Sequence, residues 1–126
     1  EFNTIQKDKK LASYLKKSKC KLLISWHDFK KTPNESQLKS RFKKMEKFSN
    51  VVKIVTVAKN VSDASRLLSL YSVKSKNKMV AFCMGDQGKF SRILCLHLGS
   101  PFTYVSLGKA IAPGQFSVDE IKSLEN

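Results

Sequence analysis

The chain has 126 residues, 41% of them hydrophobic, which is enough to bury a single core. Its five glycines and three prolines are too few for a linker or a low-complexity protein. No stretch approaches the run of about 18 apolar residues that a membrane span needs, and the opening "EFNTIQKDKK" lacks the apolar middle of a signal peptide. We therefore expect residues 1–126 to form one soluble unit in the cytoplasm.

The net charge of +14 allows two interpretations. Clustered lysines neutralise phosphates, which favours a basic nucleic-acid-binding module. The same lysines follow segments whose opposite face is apolar, as on solvated helix surfaces, and no zinc finger, helix-turn-helix or RNA-binding aromatic motif accompanies them. We prefer the second interpretation and do not expect nucleic acid as a partner. The clustered lysines are Lys7, Lys9, Lys10, Lys16, Lys17, Lys19, Lys39, Lys43, Lys44 and Lys47.

The three cysteines, Cys20, Cys83 and Cys95, are odd in number and lie far apart. None has the CxxC or Cys/His spacing that holds zinc. We therefore expect reduced, packed thiols, and we expect neither a metal nor another cofactor.

Short apolar runs of strand length alternate with helical patterns along the chain. A strand remnant is predicted at residues 1–4 and a helix at residues 9–18, with Leu11, Tyr14 and Leu15 facing inward. Strands are then predicted at residues 21–26, 51–57, 78–84 and 102–107.

Helices are predicted between these strands. Two of them begin at capping-box pairs, Asn34 with Gln37 and Ser117 with Glu120. The helix over residues 35–48 buries Leu38, Phe42 and Met45, the next buries Ala64, Leu67, Leu68 and Tyr71, and the one after it turns Phe90, Ile93, Leu94 and His97 inward.

Repeated strand–helix units with continuously apolar strands predict a parallel sheet covered by helices. Both a doubly wound open sheet and a (β/α)8 barrel fit this pattern. The phosphate loops GxGxxG and GxxxxGK[ST] are absent, and "MGDQGKFS" is only a weak substitute. Polar or reactive residues such as His27, Met84 and Ser106 fall where strands end, which favours the barrel.

Lys53 interrupts the apolar strand "VVKIVTV". Because side chains alternate along a strand, Lys53 shares a face with Val51 and Val55, and His27 on the preceding strand can meet it over one small ligand. A buried amine beside a cation has a lowered pKa, and its neutral form attacks ketones to form an imine. The residues alone leave open a lysine whose head reaches solvent or pairs with a carboxylate.

The motifs "SWHDFKKTP", "VVKIVTV", "MGDQGKFSRI", "GSPFTYVSLG" and "APGQFSVDE" together resemble the type I 3-dehydroquinate dehydratases of the shikimate pathway. The resemblance implies that Lys53 forms the imine, that His27 is the general acid and base, that Arg92 holds the substrate carboxylate, and that Gln115 contacts the substrate from a closing loop. From position alone, Arg92 is equally well explained as a surface arginine, and Gln115 is better explained as a turn residue.

The resemblance covers only the C-terminal half of the family, so we expect the C-terminal half of a TIM (β/α)8 barrel with about four to five parallel strands alternating with helices. The acidic residue that orients the histidine in relatives is expected to lie outside this chain. We expect either a fragment of a longer enzyme, for example one fused to a shikimate dehydrogenase domain, or a chain that pairs with another half. Three questions stay open: whether an isolated half is active, whether the chain forms a homodimer, and whether it is another imine-forming lyase or aldolase instead.

Overall fold

The computed structural model describes residues 1–124, in which helices and strands alternate from β1 to α5. The strands are β1 (Leu23–Asp28), β2 (Val51–Val57), β3 (Lys78–Met84), β4 (Val105–Ser106) and β5 (Phe116–Ser117). The helices are α1 (Phe2–Lys7), α2 (Lys9–Lys17), α3 (Glu35–Met45), α4 (Val61–Leu68), α5 (Ser91–His97) and α6 (Val118–Leu124). Short 3-10 turns occupy Ser69–Ser72 and Asp86–Gly88.

The main sheet has three parallel strands in the order β1-β2-β3. This arrangement confirms the predicted α/β class with parallel strands. The run at residues 102–107 does not join this sheet as a fourth strand, which corrects the prediction. Only two of its residues are extended, and they pair in parallel with β5 in a separate two-stranded sheet.

The sheet has two different faces because side chains alternate along each strand. One face packs against the helices and forms the larger core. The opposite face, here called the inner face, carries Ser25, His27, Lys53, Val55, Val80 and Phe82. The larger core includes Ile24, Trp26, Val52, Ile54, Met79, Ala81 and Cys83 from the strands, and Leu38, Phe42, Met45, Ala64 and Leu67 from the helices.

Both predicted capping boxes are present. The Asn34 side chain accepts from the Gln37 amide at 2.9 Å, and the Gln37 side chain accepts from the Asn34 amide at 3.3 Å. Ser117 and Glu120 make the same reciprocal pair at the start of α6, at 3.1 and 2.7 Å. These bonds satisfy amide groups that have no partner within the helix, so both helices start where the sequence indicated.

Three local predictions are wrong. Residues 1–4 are not a strand remnant, because Phe2 and Ile5 lie one helical turn apart and both enter the core from α1. On α2, Ala12 packs inward with Leu11 and Leu15, whereas Tyr14 is 71% exposed. On α5, Leu94 and His97 are exposed, and the buried face is formed by Ser91, Arg92 and Cys95.

None of the helices within residues 1–124 has the length and hydrophobicity of a membrane-spanning segment.

Candidate active site

Lys53 lies in the middle of β2 on the inner face, where its side chain is half-buried. Burial lowers the pKa of its amine, the charge of Glu1 opposes this change, and the charge of Arg92 adds to it. Its Nζ lies 4.3 Å from the centroid of the Tyr104 ring. Among residues 1–124, no carboxylate lies within ion-pair distance of that nitrogen. Lys53 is therefore a partly desolvated amine in contact with an aromatic face.

His27 lies near the end of β1 and is anchored by Glu1. The Glu1 carboxylate lies 3.2 Å from His27 Nδ1 and also accepts the backbone amide of His27 at 3.2 Å. Ser25 donates its hydroxyl to the same carboxylate at 2.8 Å. Contact with Nδ1 holds the ring in one orientation. The expectation that such an acidic residue lies outside the chain is therefore wrong.

The sheet register places His27 and Lys53 on the same face of neighbouring strands. Ser25 pairs with Lys53, and His27 pairs with Val55. His27 therefore lies two residues further along its strand than the partner of Lys53. From standard strand spacings, the two Cα atoms are about 8 Å apart. That separation leaves room for a small ligand between the two side chains. After burial, the charge that lowers the pKa of Lys53 is that of Arg92.

Arg92 lies in the first turn of α5 and is only 2% exposed. Its guanidinium carbon lies 4.5 Å from the centroid of the Phe82 ring, and its Nη2 donates to the Pro113 carbonyl at 3.3 Å. Burial lowers the pKa of this guanidinium. Its buried Nε has no hydrogen-bond partner among the described residues. Arg92 is therefore a buried residue and not a surface arginine.

The segment around Gln115 is docked against the end of β3. The Pro113 carbonyl accepts from the Gly85 amide at 3.2 Å as well as from Arg92. Gly114 has φ +71°, and a Cβ there would lie 2.6 Å from the Gly85 carbonyl oxygen, so only glycine fits. The Gln115 side-chain oxygen accepts from the amides of Ile111 and Ala112. In this structure Gln115 stabilises its own loop.

Aromatic rings connect Lys53 to Arg92. Tyr104 contacts Lys53 and lies 6.0 Å from Phe82 between ring centroids, and Arg92 lies over the Phe82 ring. Met84, at the end of β3, is buried in the same apolar cluster and acts as packing. Sequence reasoning missed Tyr104 because "FTYVSL" reads as one more buried strand. It missed Glu1 because no periodic pattern surrounds a first residue.

No group of three or more His, Cys, Asp or Glu side chains that could hold a metal ion occurs within residues 1–124.

The chain is an α/β protein whose parallel sheet carries the Lys53 amine and the anchored His27 imidazole on its inner face, and the buried Arg92 guanidinium of α5 lies over Phe82 of that face. Residues 1–125 match the Type I 3-dehydroquinase family. The chain belongs to that family, which confirms the predicted resemblance.

Individual relatives agree with this assignment. The 3-dehydroquinate dehydratase of Pyrobaculum aerophilum is 47% identical over 103 residues, covering 82% of this chain and 34% of that protein. The crystal structure of 3-dehydroquinate dehydratase from Aquifex aeolicus is 34% identical, with a TM-score of 0.75 over 92% of this chain and 52% of that one. The dehydroquinate dehydratase and shikimate dehydrogenase of S. pombe is 26% identical, with a TM-score of 0.67 over 84% of this chain and 21% of that one. The chain spans about half the length, or less, of the relatives it matches.

Proposed function

We propose that this chain carries the Schiff-base centre of a 3-dehydroquinate dehydratase, a hydro-lyase that converts 3-dehydroquinate to 3-dehydroshikimate in aromatic amino-acid biosynthesis. The observation that carries the proposal is Lys53, a half-buried amine of lowered pKa on the inner face of the sheet. Membership of the Type I 3-dehydroquinase family supports the choice of this reaction over another imine-forming lyase or aldolase.

In the proposed reaction the neutral Lys53 amine attacks the substrate ketone and forms an imine, with loss of water. The protonated imine withdraws electrons and acidifies the adjacent carbon. His27 removes that proton and then returns it to the departing hydroxyl group. Glu1 supports this role because its contact with Nδ1 holds the ring in one orientation and stabilises the imidazolium that forms. Hydrolysis of the imine releases the product.

Arg92 is the proposed partner of the substrate carboxylate. Its burial supports this role, because a desolvated guanidinium with an unpaired Nε gains more from an incoming carboxylate than a solvated one does. We propose that Gln115 contacts the substrate after a rearrangement of its loop, since its oxygen now accepts from the amides of Ile111 and Ala112.

We propose that the chain is the C-terminal half of a (β/α)8 barrel. The coverage of relatives supports this, as does the sheet itself, in which β1 and β3 are both edge strands. Unpaired edges favour pairing with further strands. The missing half would be supplied by the rest of a longer chain or by a second chain. Fusion to a shikimate dehydrogenase domain, as the name of the S. pombe protein indicates for that relative, stays a prediction, and so do a homodimer and a cytoplasmic location.

A chimera tests the proposed function. This chain replaces the structurally equivalent segment of the Aquifex aeolicus enzyme, and conversion of 3-dehydroquinate is followed by the absorbance of the conjugated product. We expect turnover that falls to background in Lys53→Met, because no other residue supplies the imine. Lys44→Met, at an exposed position on α3, is the matched control and should keep full activity. Turnover that survives in a folded Lys53→Met chimera would rule out the mechanism.

A further inference from the structure

The Tyr104 ring lies against the Lys53 nitrogen, and no carboxylate in the described chain lies within ion-pair distance of that nitrogen. Its centroid is 4.3 Å from Nζ, well inside the range of about 6 Å within which a cation is attracted to an aromatic face. The ring is held from two sides, because Phe102 meets it edge-on at 5.7 Å and Phe82 lies at 6.0 Å. Tyr104 is therefore a fixed aromatic surface at the proposed reacting atom.

Charge at this position needs stabilisation. Two positive side chains contact neighbouring rings, Lys53 the Tyr104 ring and Arg92 the Phe82 ring, and burial disfavours the charged form of both. Two charged groups change the pKa of Lys53: Glu1, which precedes α1, raises it, and Arg92, on α5, lowers it. Its neighbours in the sheet, Ser25 and Val80, are uncharged, and the carboxylate of Glu1 is engaged by Ser25 and His27.

We propose that the face of the Tyr104 ring stabilises positive charge on the Lys53 nitrogen, both in the free ammonium and in the iminium that the lysine forms with a ketone substrate. In that step the amine lone pair forms a C–N bond to the ketone carbon. The ketone oxygen departs as water, taking one proton from the amine and one from a general acid. The nitrogen keeps one proton and a positive charge. The stabilisation of the iminium depends on the proposed function, whereas that of the free ammonium does not.

The Tyr104 hydroxyl has no part in stabilising the charge, so the proposal can be distinguished from a hydrogen bond to Lys53. Tyr104→Phe should preserve the effect, since the ring face remains, and Tyr104→Leu should remove it. Replacement by phenylalanines of increasing fluorination withdraws electron density from the same ring shape and should weaken the effect in steps. This last series keeps the proposal testable if Tyr104→Leu does not fold.

The test is a pH titration of the Lys53 side chain by NMR in the chain labelled with [13C]lysine, with the Lys53 signal assigned by its loss in Lys53→Arg. Loss of the ring should lower the pKa of Lys53 and raise its neutral fraction at neutral pH roughly two- to fivefold. Tyr14→Leu, the same change at an exposed tyrosine on α2, is the matched control and should leave the titration unchanged.

The titration measures how the Tyr104 ring changes the pKa of Lys53, and it does not require enzymatic activity. A Lys53 pKa that is the same in wild type and across the fluorinated series overturns the proposal, even if the protein dehydrates 3-dehydroquinate. A pKa that falls in steps supports it, even if no substrate adduct forms, and in that case it is the proposed function that fails. If Tyr104→Phe behaves like Tyr104→Leu, the hydroxyl is responsible and the proposal is wrong.

Discussion

Lys53 is surrounded along β2 by branched apolar residues, and the alternation of that strand decides which way its side chain points. Val52 and Ile54 enter the core against the helices, so the lysine between them must face the other way. Burial then lowers its pKa. The position and direction of Lys53 and His27 could be predicted from the sequence because both follow from strand periodicity.

Arg92, Glu1 and Tyr104 were less accessible to prediction, each for a physical reason. Arg92 is buried through the packing of α5 on β3, and the helical pattern instead pointed to Leu94 and His97 as the inward face. Glu1 contacts His27 from 26 residues away in the chain, and Tyr104 contacts Lys53 from the segment before β4. Contacts of this kind depend on tertiary structure and leave no local pattern.

The first residue-scale prediction concerns Glu1→Gln. The Glu1 charge raises the pKa of Lys53 against the larger effect of burial. Without that charge the pKa should fall further, so the neutral amine becomes available at lower pH. We expect the pH profile of imine formation, measured by the rate of borohydride trapping with 3-dehydroquinate, to move to lower pH in Glu1→Gln.

The control for this change is Glu35→Gln, on the exposed start of α3, where the carboxylate pairs with Lys39 and lies outside the site. A profile that moves to higher pH in Glu1→Gln, or moves equally in both variants, would contradict the assigned influence of Glu1 on Lys53.

At the scale of elements, a buried chain of hydrogen bonds ties the segment after β1 to β2 and β3. Thr32 donates to the Val57 carbonyl at 2.9 Å and lies 2.7 Å from the Thr56 hydroxyl. Cys83 Sγ lies 3.3 Å from that hydroxyl, and burial raises the pKa of the thiol, so it keeps its proton. One placement of hydrogens satisfies all three bonds, with the thiol donating to Thr56 and Thr56 donating to Thr32. The segment that follows His27 is thereby fixed.

Replacing Thr32 by valine should test this network. Valine has nearly the same shape but leaves the Val57 carbonyl and the Thr56 hydroxyl without their partner. We expect the free energy of unfolding to fall by about 1–3 kcal/mol in urea denaturation. Thr4→Val, at an exposed threonine on α1, is the matched control and should change it by less than about 0.5 kcal/mol. Equal effects of the two substitutions would mean that the network contributes no net stability.

The ends of the helices and strands show which structural predictions local sequence patterns support and which they do not. The capping boxes at Asn34 and Ser117 fixed the starts of α3 and α6 because a cap is a local feature of the chain. The run at residues 102–107 looked like a core strand, yet only Val105 and Ser106 pair, and they pair with β5. Whether an apolar run joins a sheet depends on its neighbours in space, which one sequence does not give.

On the scale of the whole molecule, the main sheet has three strands, and the groups assigned to the proposed reaction lie on or beside its inner face. The amine, the imidazole with its carboxylate and the guanidinium all lie on residues 1–124 and converge on the inner face. Both outer strands of the sheet remain edges. In the proposed function the imine forms on this chain, and the proposed other half of the barrel supplies the enclosure that excludes water and holds the whole substrate.

The most direct measurement is reductive trapping. The protein is incubated with 3-dehydroquinate and sodium borohydride, as the chain itself and as the chimera with Aquifex aeolicus, and the modified residue is located by mass spectrometry of peptides. We predict a single stable adduct on Lys53 in the chimera, absent from Lys53→Met. A folded chimera that turns over substrate while Lys53 remains unmodified, or an adduct on a different lysine, would contradict the assignment of the reacting amine.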